Sequence, residues 1–148
     1  MKIETKYFGT IQVDEQTLLF FPNGIFGFEQ EKKFVLLPFA KEEDFLLCLQ
    51  SVETPSLAFT ALNPFMLLPT YQPKLAKSEL LQMQVEKSED LCYYTLCRVN
   101  KPVWKSTVNL RCPIVLKDRT RQACQVILDE YDMRCPLDSI GRQGGAQC

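Results

Sequence analysis

Apolar positions are densest between residues 45 and 71, where residues 45–49 and 57–62 form two runs rich in Leu and Phe. The polar gap between them, Gln50-Ser51-Val52-Glu53-Thr54-Pro55-Ser56, predicts two buried strands joined by a short turn. Turns of this kind lie at the surface. Gln50, Glu53 and, just past the second run, Asn63 are therefore presented on a rigid support.

The remaining pattern extends the same theme. Residues 2–13 predict a hairpin, with Ile3, Thr5 and Tyr7 alternating with charged positions before a turn near Gly9, and Ile11 and Val13 alternating after it. Residues 18–21 predict a short strand stopped by Pro22-Asn23-Gly24, where Pro presets φ and Gly accepts positive φ. Ile25, Phe26 and Phe28 then crowd one loop, which must pack on the body or on a partner. Residues 34–39 form a continuous apolar strand in which Pro38, lacking a donor, favours an edge or a strand end. The charged stretch 41–44 predicts a solvated turn.

Pro64, Pro69 and Pro73 exclude a long helix and predict an extended crossing segment. Residues 77–83 predict a short capping helix, with Ser78 as N-cap and Leu80, Leu81 and Met83 as its apolar side. Strands follow over 91–99, 108–110, 114–116 and 123–128, with the charged turn 117–122 between the last two. Eight or nine short strands predict an antiparallel barrel or sandwich. Beyond Pro136 apolar residues nearly vanish and glycine accumulates, so a β domain over 1–137 is expected to end in a flexible tail, 138–148, with Cys148 exposed.

Composition changes the picture in three respects. The 148 residues, 46% hydrophobic and 24% charged, suit one soluble globular domain. Net charge is −1 but uneven: residues 1–100 hold 13 acidic and 9 basic side chains, and residues 101–148 hold 5 and 8. The acidic part disfavours a nucleic-acid footprint and suits a basic protein partner, although a randomly mixed solvated surface is the plainer account. Finally, histidine is absent. That removes the commonest general base, the usual nucleophile pairs and the commonest metal ligand.

Little other chemistry is visible. No C-x2-C pair occurs, and Cys92 and Cys97 point to opposite faces of a strand, so no metal is expected. Gly24 and Gly27 match neither a dinucleotide fingerprint nor a P-loop. No cofactor and no catalysis are expected. Seven cysteines without an apolar leader suit free thiols filling core space in a reducing cytoplasm, and no run reaches the roughly 18 apolar residues of a membrane span. Lys117, Arg119 and Arg121 could touch phosphate, but ordinary hairpin solubility explains them.

A set of short motifs then carries a family resemblance: TKYFG at 5–9, FPNGIFGFE at 21–29, FVLLP at 34–38, LQSVE at 49–53, LAF at 57–59, NPF at 63–65, NL at 109–110, PIV at 113–115 and QVIL at 125–128. In order and spacing the chain resembles the flagellar assembly factor FliW family over about residues 2–137. The resemblance implies an all-β fold, a small antiparallel pseudobarrel with short helical caps. It also implies a cytoplasmic, non-enzymatic partner switch that binds and antagonises the translational regulator CsrA and binds flagellin. Flagellin retained in the cell occupies the protein, frees CsrA and halts further flagellin synthesis. A flagellin secretion chaperone without CsrA activity is the alternative. No direct nucleic-acid or membrane contact is implied, and a monomer is expected.

The residues expected to meet a partner are Phe28, Glu29, Gln50, Glu53, Asn63 and Phe65, as polar or aromatic groups on short, well-supported loops. Each has a plainer use: Asn63 before Pro64 forms turns, Gln50 can satisfy backbone groups, and Phe28 and Phe65 can be core. The chain departs from the family pattern at Phe26, where Pro is usual, and at Val108 and Cys112, where Ala is common. Phe26 is read as filling a local gap, and Val108 and Cys112 as repacking.

Overall fold

The computed structural model describes residues 1–40 and 43–138. Eleven strands are present among them: β1 (Lys2–Glu4), β2 (Thr10–Gln12), β3 (Leu19–Phe20), β4 (Lys33–Ala40), β5 (Glu43–Ser51), β6 (Ala58–Leu62), β7 (Cys92–Arg98), β8 (Thr107–Val108), β9 (Ile114–Lys117), β10 (Gln122–Gln125) and β11 (Cys135–Pro136). Two short helices, α1 (Pro64–Leu67) and α2 (Lys77–Met83), lie between β6 and β7. The solvated turn expected over 41–44 falls largely, and the tail from 139 with Cys148 wholly, outside the described residues.

The strands close into a ring. Going round, β7 pairs with β6, β6 with β5, β5 with β4, β4 with β3, β3 with β10 and β10 with β9, and β9 returns to β7. β7 achieves this by dividing one edge: Cys92, Tyr93 and Tyr94 face β9, whereas Cys97 and Arg98 face β8. β8 and β11 thus form a flap outside the ring. All contacts round the ring are antiparallel except the single parallel pair Gln122 and Phe20.

Strand alternation fills the inside and demands cover outside. Leu19, Phe21, Phe34, Leu49, Ile114 and Leu116 point inward and share one buried cluster. On β9 the intervening Val115 points outward, yet it is equally buried, against Leu62, Tyr93, Tyr71 and Met83. The cover is the chain from 63 to 91, including α1 and α2. On the β4–β5 side, Val35, Cys48 and Gln50 also face outward and are buried. There the N-terminal hairpin of β1 and β2 provides the cover, burying Ile3 and bonding to Gln50.

Several local expectations hold and several change. The helix predicted over 77–83 forms at that position. Its N-cap is Ala76 rather than Ser78, because Glu79 Oε1 reaches back to the Ala76 N–H at 2.8 Å. Leu81 leaves the apolar side, 76% exposed. The three prolines do prevent a long helix: α1 has four residues, begun by Pro64 behind the Asn63 cap. Pro38 lies where β4 has a partner on one side only, since β3 reaches no further than Phe34, and the β4–β5 register shifts between Pro38 and Ala40. Cysteines 48, 92, 97, 112 and 124 are free, but the buried Cys135 is disulfide-bonded, which corrects the expectation of free thiols throughout.

Two outcomes follow from this packing. Phe34→Ala, which empties the middle of the ring, should cost about 3–5 kcal/mol in chemical denaturation, while Leu81→Lys should change stability by less than about 0.5 kcal/mol. Burial raises the Cys48 and Cys124 thiols from 9.0 to about 11, because a thiolate there loses its hydration. The unfolded chain releases those protons first, so their contribution is complete below the ordinary thiol range and is lost as pH rises toward the folded value. Denaturation midpoints should fall between about pH 9 and about pH 11, and fall less in Cys124→Ala.

Candidate functional site

Three loops meet at one end of the ring. They are the turn at 5–9 after β1, the loop from Phe21 to Lys32, and the β5–β6 turn from Ser51 to Leu57. Gln50 joins the first and third. Its Oε1 accepts the Lys6 N–H at 3.0 Å, and its Nε2 donates to the carbonyls of Ser51, Pro55 and Leu57 at 2.9, 3.1 and 3.2 Å. The side chain is completely buried. Its two N–H bonds are shared among three acceptors, so the whole amide is used inside the fold. Gln50 therefore fixes the turn instead of facing a partner, because its burial leaves no surface to present.

The second loop is tied to the third from outside. Val52 N–H donates to the Lys33 carbonyl at 3.0 Å, and Ser51 Oγ, 3.5 Å from Glu31 Oε1, also accepts the Thr54 N–H at 3.0 Å. Glu53 stays exposed, with only a long 3.4 Å bond from the Lys32 N–H. Within the loop, Gly24 has φ +68°, and a Cβ there would stand 2.6 Å from the Glu29 backbone. Glycine is required at 24 by both conformation and space. Glu29 is exposed, and its Oε2 accepts the Gly27 N–H at 2.6 Å.

The apolar part of this loop divides its side chains between core and solvent. Phe28 meets Phe59 of β6 edge to face at 5.2 Å and partly plugs the ring, yet remains 41% exposed. Phe26 is 49% exposed, which corrects the expectation that it fills a gap. Its backbone is held instead by Gln125, whose Oε1 accepts the Phe26 N–H at 2.9 Å while its Nε2 donates to the Cys112 carbonyl at 2.9 Å. Gly27, Phe28, Glu29, Glu31 and Thr54 bound an open cleft of about 500 Å³. The result is an acidic rim with aromatic groups beside it. Gln125 and Glu31 were missed in the sequence, since nothing local marks a side chain whose partner lies 99 residues away, as Phe26 does from Gln125, or 20 away, as Ser51 does from Glu31.

Asn63 and Phe65 belong elsewhere. They follow the far end of β6, about 17 Å from the Ala58 end at ~3.3 Å per residue. Asn63 Oδ1 caps α1 by accepting the Phe65 N–H at 2.9 Å. Phe65, 38% exposed, stands 5.8 Å from the Tyr71 ring and 5.9 Å from the Tyr93 ring, at the mouth of a pocket of about 320 Å³. Both hydroxyls are used internally, Tyr71 on the Leu110 carbonyl at 2.7 Å and Tyr93 on the Ser88 carbonyl at 2.6 Å. Burial pushes the Tyr71 phenol far up and that of Tyr93 to about 12, so neither is a base near neutral pH. The single presented edge expected from residues 45–71 is thus two separate places.

The basic turn is largely committed to the fold. Lys117 Nζ donates to the Gln84 carbonyl at 3.0 Å, and Arg121 bridges Asp118 at 2.7 Å and the Thr17 carbonyl at 3.1 Å. Among the described residues no group of three His, Cys, Asp or Glu is placed to hold a metal, and no helix is long and apolar enough to cross a membrane.

Known proteins agree on the kinship. The family described as FliW protein matches residues 2–137. A flagellar assembly factor FliW from Shouchella clausii is 36% identical over 146 residues, covering 97% of this chain and 99% of its own. One from Geobacillus sp. (strain WCH70) is 43% identical over 128 residues, covering 86% and 88%. A crystal structure of the flagellar assembly factor FliW superposes with TM-score 0.84 at 38% identity, covering 93% of this chain and 96% of its own.

The two roles assigned to the hairpin separate in a stability measurement. Gln50→Leu, which strands the Lys6 N–H and takes a donor from the Ser51 and Pro55 carbonyls, should lower the unfolding free energy by roughly 2 to 3 kcal/mol. Glu53→Lys should leave it within about 0.5 kcal/mol.

Proposed function

This chain belongs to the FliW family of flagellar assembly factors, and we propose that it works by holding other proteins, binding and antagonising the translational regulator CsrA and binding flagellin. Occupation by flagellin then releases CsrA, and export of flagellin returns the protein to CsrA. Mutually exclusive occupation is sufficient for such control, since each partner lowers the free protein available to the other.

The observation that carries this reading is the cleft of Phe28, Glu29 and Glu31, with Glu53 and Phe26 beside it. Half-exposed aromatic rings backed by a rigid ring of strands supply contact area at little ordering cost. Glutamates around them favour a partner with a basic surface and steer its approach. The arrangement contains hydrogen-bonded loops and no pair of groups poised for proton transfer, so binding suits it better than catalysis. Its proposed place of action is the cytoplasm, where both partners are made.

Purified protein mixed at micromolar concentration with CsrA of the same genome should elute as a complex from a sizing column, and added flagellin should displace CsrA. Glu53→Lys should weaken the CsrA complex about tenfold and steepen its loss with salt, without lowering the melting temperature. Flagellin binding without any CsrA complex, and without effect on CsrA–RNA mobility in a gel, would leave a secretion chaperone in its place.

A further inference from the structure

The connection between β7 and β8 carries a feature that the acidic cleft does not use. From Leu91 to Lys117 the chain has no Asp or Glu, while Arg98, Lys101, Lys105, Arg111 and Lys117 are basic. A single 3-10 turn, Val103–Lys105, lifts Val103 and Trp104 into solvent, 57% and 59% exposed, beside the half-exposed Val99. The lift is built in. Asn100 N–H donates to Ser106 Oγ at 2.9 Å, and Asn100 Nδ2 to the Lys105 carbonyl at 2.9 Å, closing the loop beneath its apolar tip.

A groove of about 250 Å³ lies at the base of this hairpin, where Arg98 pairs with Thr107. Met133 and Arg134 form its opposite wall. Among the described residues Arg98, Lys101, Lys105 and Arg134 make no salt bridge. Asp132 and Asp138 flank β11 on this side, but Arg98, Lys101, Lys105 and Arg134 outnumber them, so the exposed apolar side chains sit on a surface with a net positive sign.

We propose that this tip and groove dock an acidic, amphipathic segment of a partner protein, with its apolar side chains against Val103, Trp104 and Met133 and its carboxylates against Arg98 and Arg134. Charge sign selects the partner, because a basic segment would bring like charges together around a desolvated tryptophan. A flat bilayer does not enter the groove, and a nucleic-acid strand takes successive aromatic platforms, whereas Trp104 stands among aliphatic groups. The site stands apart from the acidic cleft and does not depend on what fills it.

Trp104 is the only tryptophan, so its fluorescence reports this tip directly. The full chain is titrated with a helical peptide of Leu and Glu, the same peptide with Lys for Glu, polyuridylate, and vesicles of phosphatidylcholine and phosphatidylglycerol. The expected result is a saturable blue shift with the Glu peptide alone. Affinity should drop about tenfold when salt is raised from roughly 0.05 to 0.5 M, and by a similar factor in the Lys101→Glu, Lys105→Glu double variant. Arg134→Glu should weaken it as well while leaving the tip intact. No shift with the Glu peptide, or an equal shift with the Lys peptide, overturns the proposal. A shift with RNA or vesicles in its place reassigns the face to that ligand, and a shift produced by raising the protein concentration alone reassigns it to a second copy of the chain.

Discussion

Closing the ring through β7 constrains nearly everything else. A seven-strand ring gives every strand a partner on each side for at least part of its length, and its interior is narrow enough for large side chains from all strands to meet. That interior takes every second residue and leaves the rest pointing outward. In a chain this apolar many of those are also large, as Val115, Leu62 and Tyr93 are. Closure therefore obliges the segment from 63 to 91 to fold over one outer face and the N-terminal hairpin to fold over another. The divided edge of β7 has a further result: the strand leaves β9 halfway along and carries the β8–β11 flap away from the body.

The candidate surfaces are by-products of the same geometry. Loops at the ends of a closed ring start from fixed strand ends, so few bonds are needed to hold them, and Gln50 and Gln125 supply many of these. Each uses a side-chain amide as a substitute for backbone pairing that loops cannot make. Acidic and aromatic groups collect at the Phe28 end, while the 27 residues of chain from Leu91 to Lys117, which include β8 of the flap, hold no Asp or Glu. Two surfaces of opposite sign on one small domain offset each other in a net charge of −1.

Much of the fold was legible in the sequence, for identifiable reasons. The β5–β6 hairpin and α2 announce themselves by local periodicity and by flanking polar residues, and both lie where the pattern put them. β11, with two residues, is too short for any pattern, and the parallel contact of β3 with β10 joins positions about a hundred residues apart. The candidate site was less legible. Glu53 and Asn63 looked like neighbours on one edge, but a strand as extended as β6 separates them. Gln50 looked available because it is polar and next to a turn, whereas the carbonyls of Ser51, Pro55 and Leu57 and the Lys6 N–H had a stronger claim on it. Trp104 attracted no notice, since one aromatic residue between lysines has no periodicity to betray its exposure.

Pro38 bears on a different aspect of the protein's existence. The stretch of β4 beyond Phe34 is rich in residues that favour strands and has a vacant side, which is the kind of edge on which chains pair with one another and precipitate. A proline there offers no N–H to an incoming strand, and the shifted register beside it bends the ladder out of line. The Phe39 ring is occupied as well, lying 5.8 Å from both Tyr7 and Phe8 of the N-terminal turn. The exposed side of β4 is thereby kept from pairing with the same side of a second copy, a contact that strand propensity alone would favour.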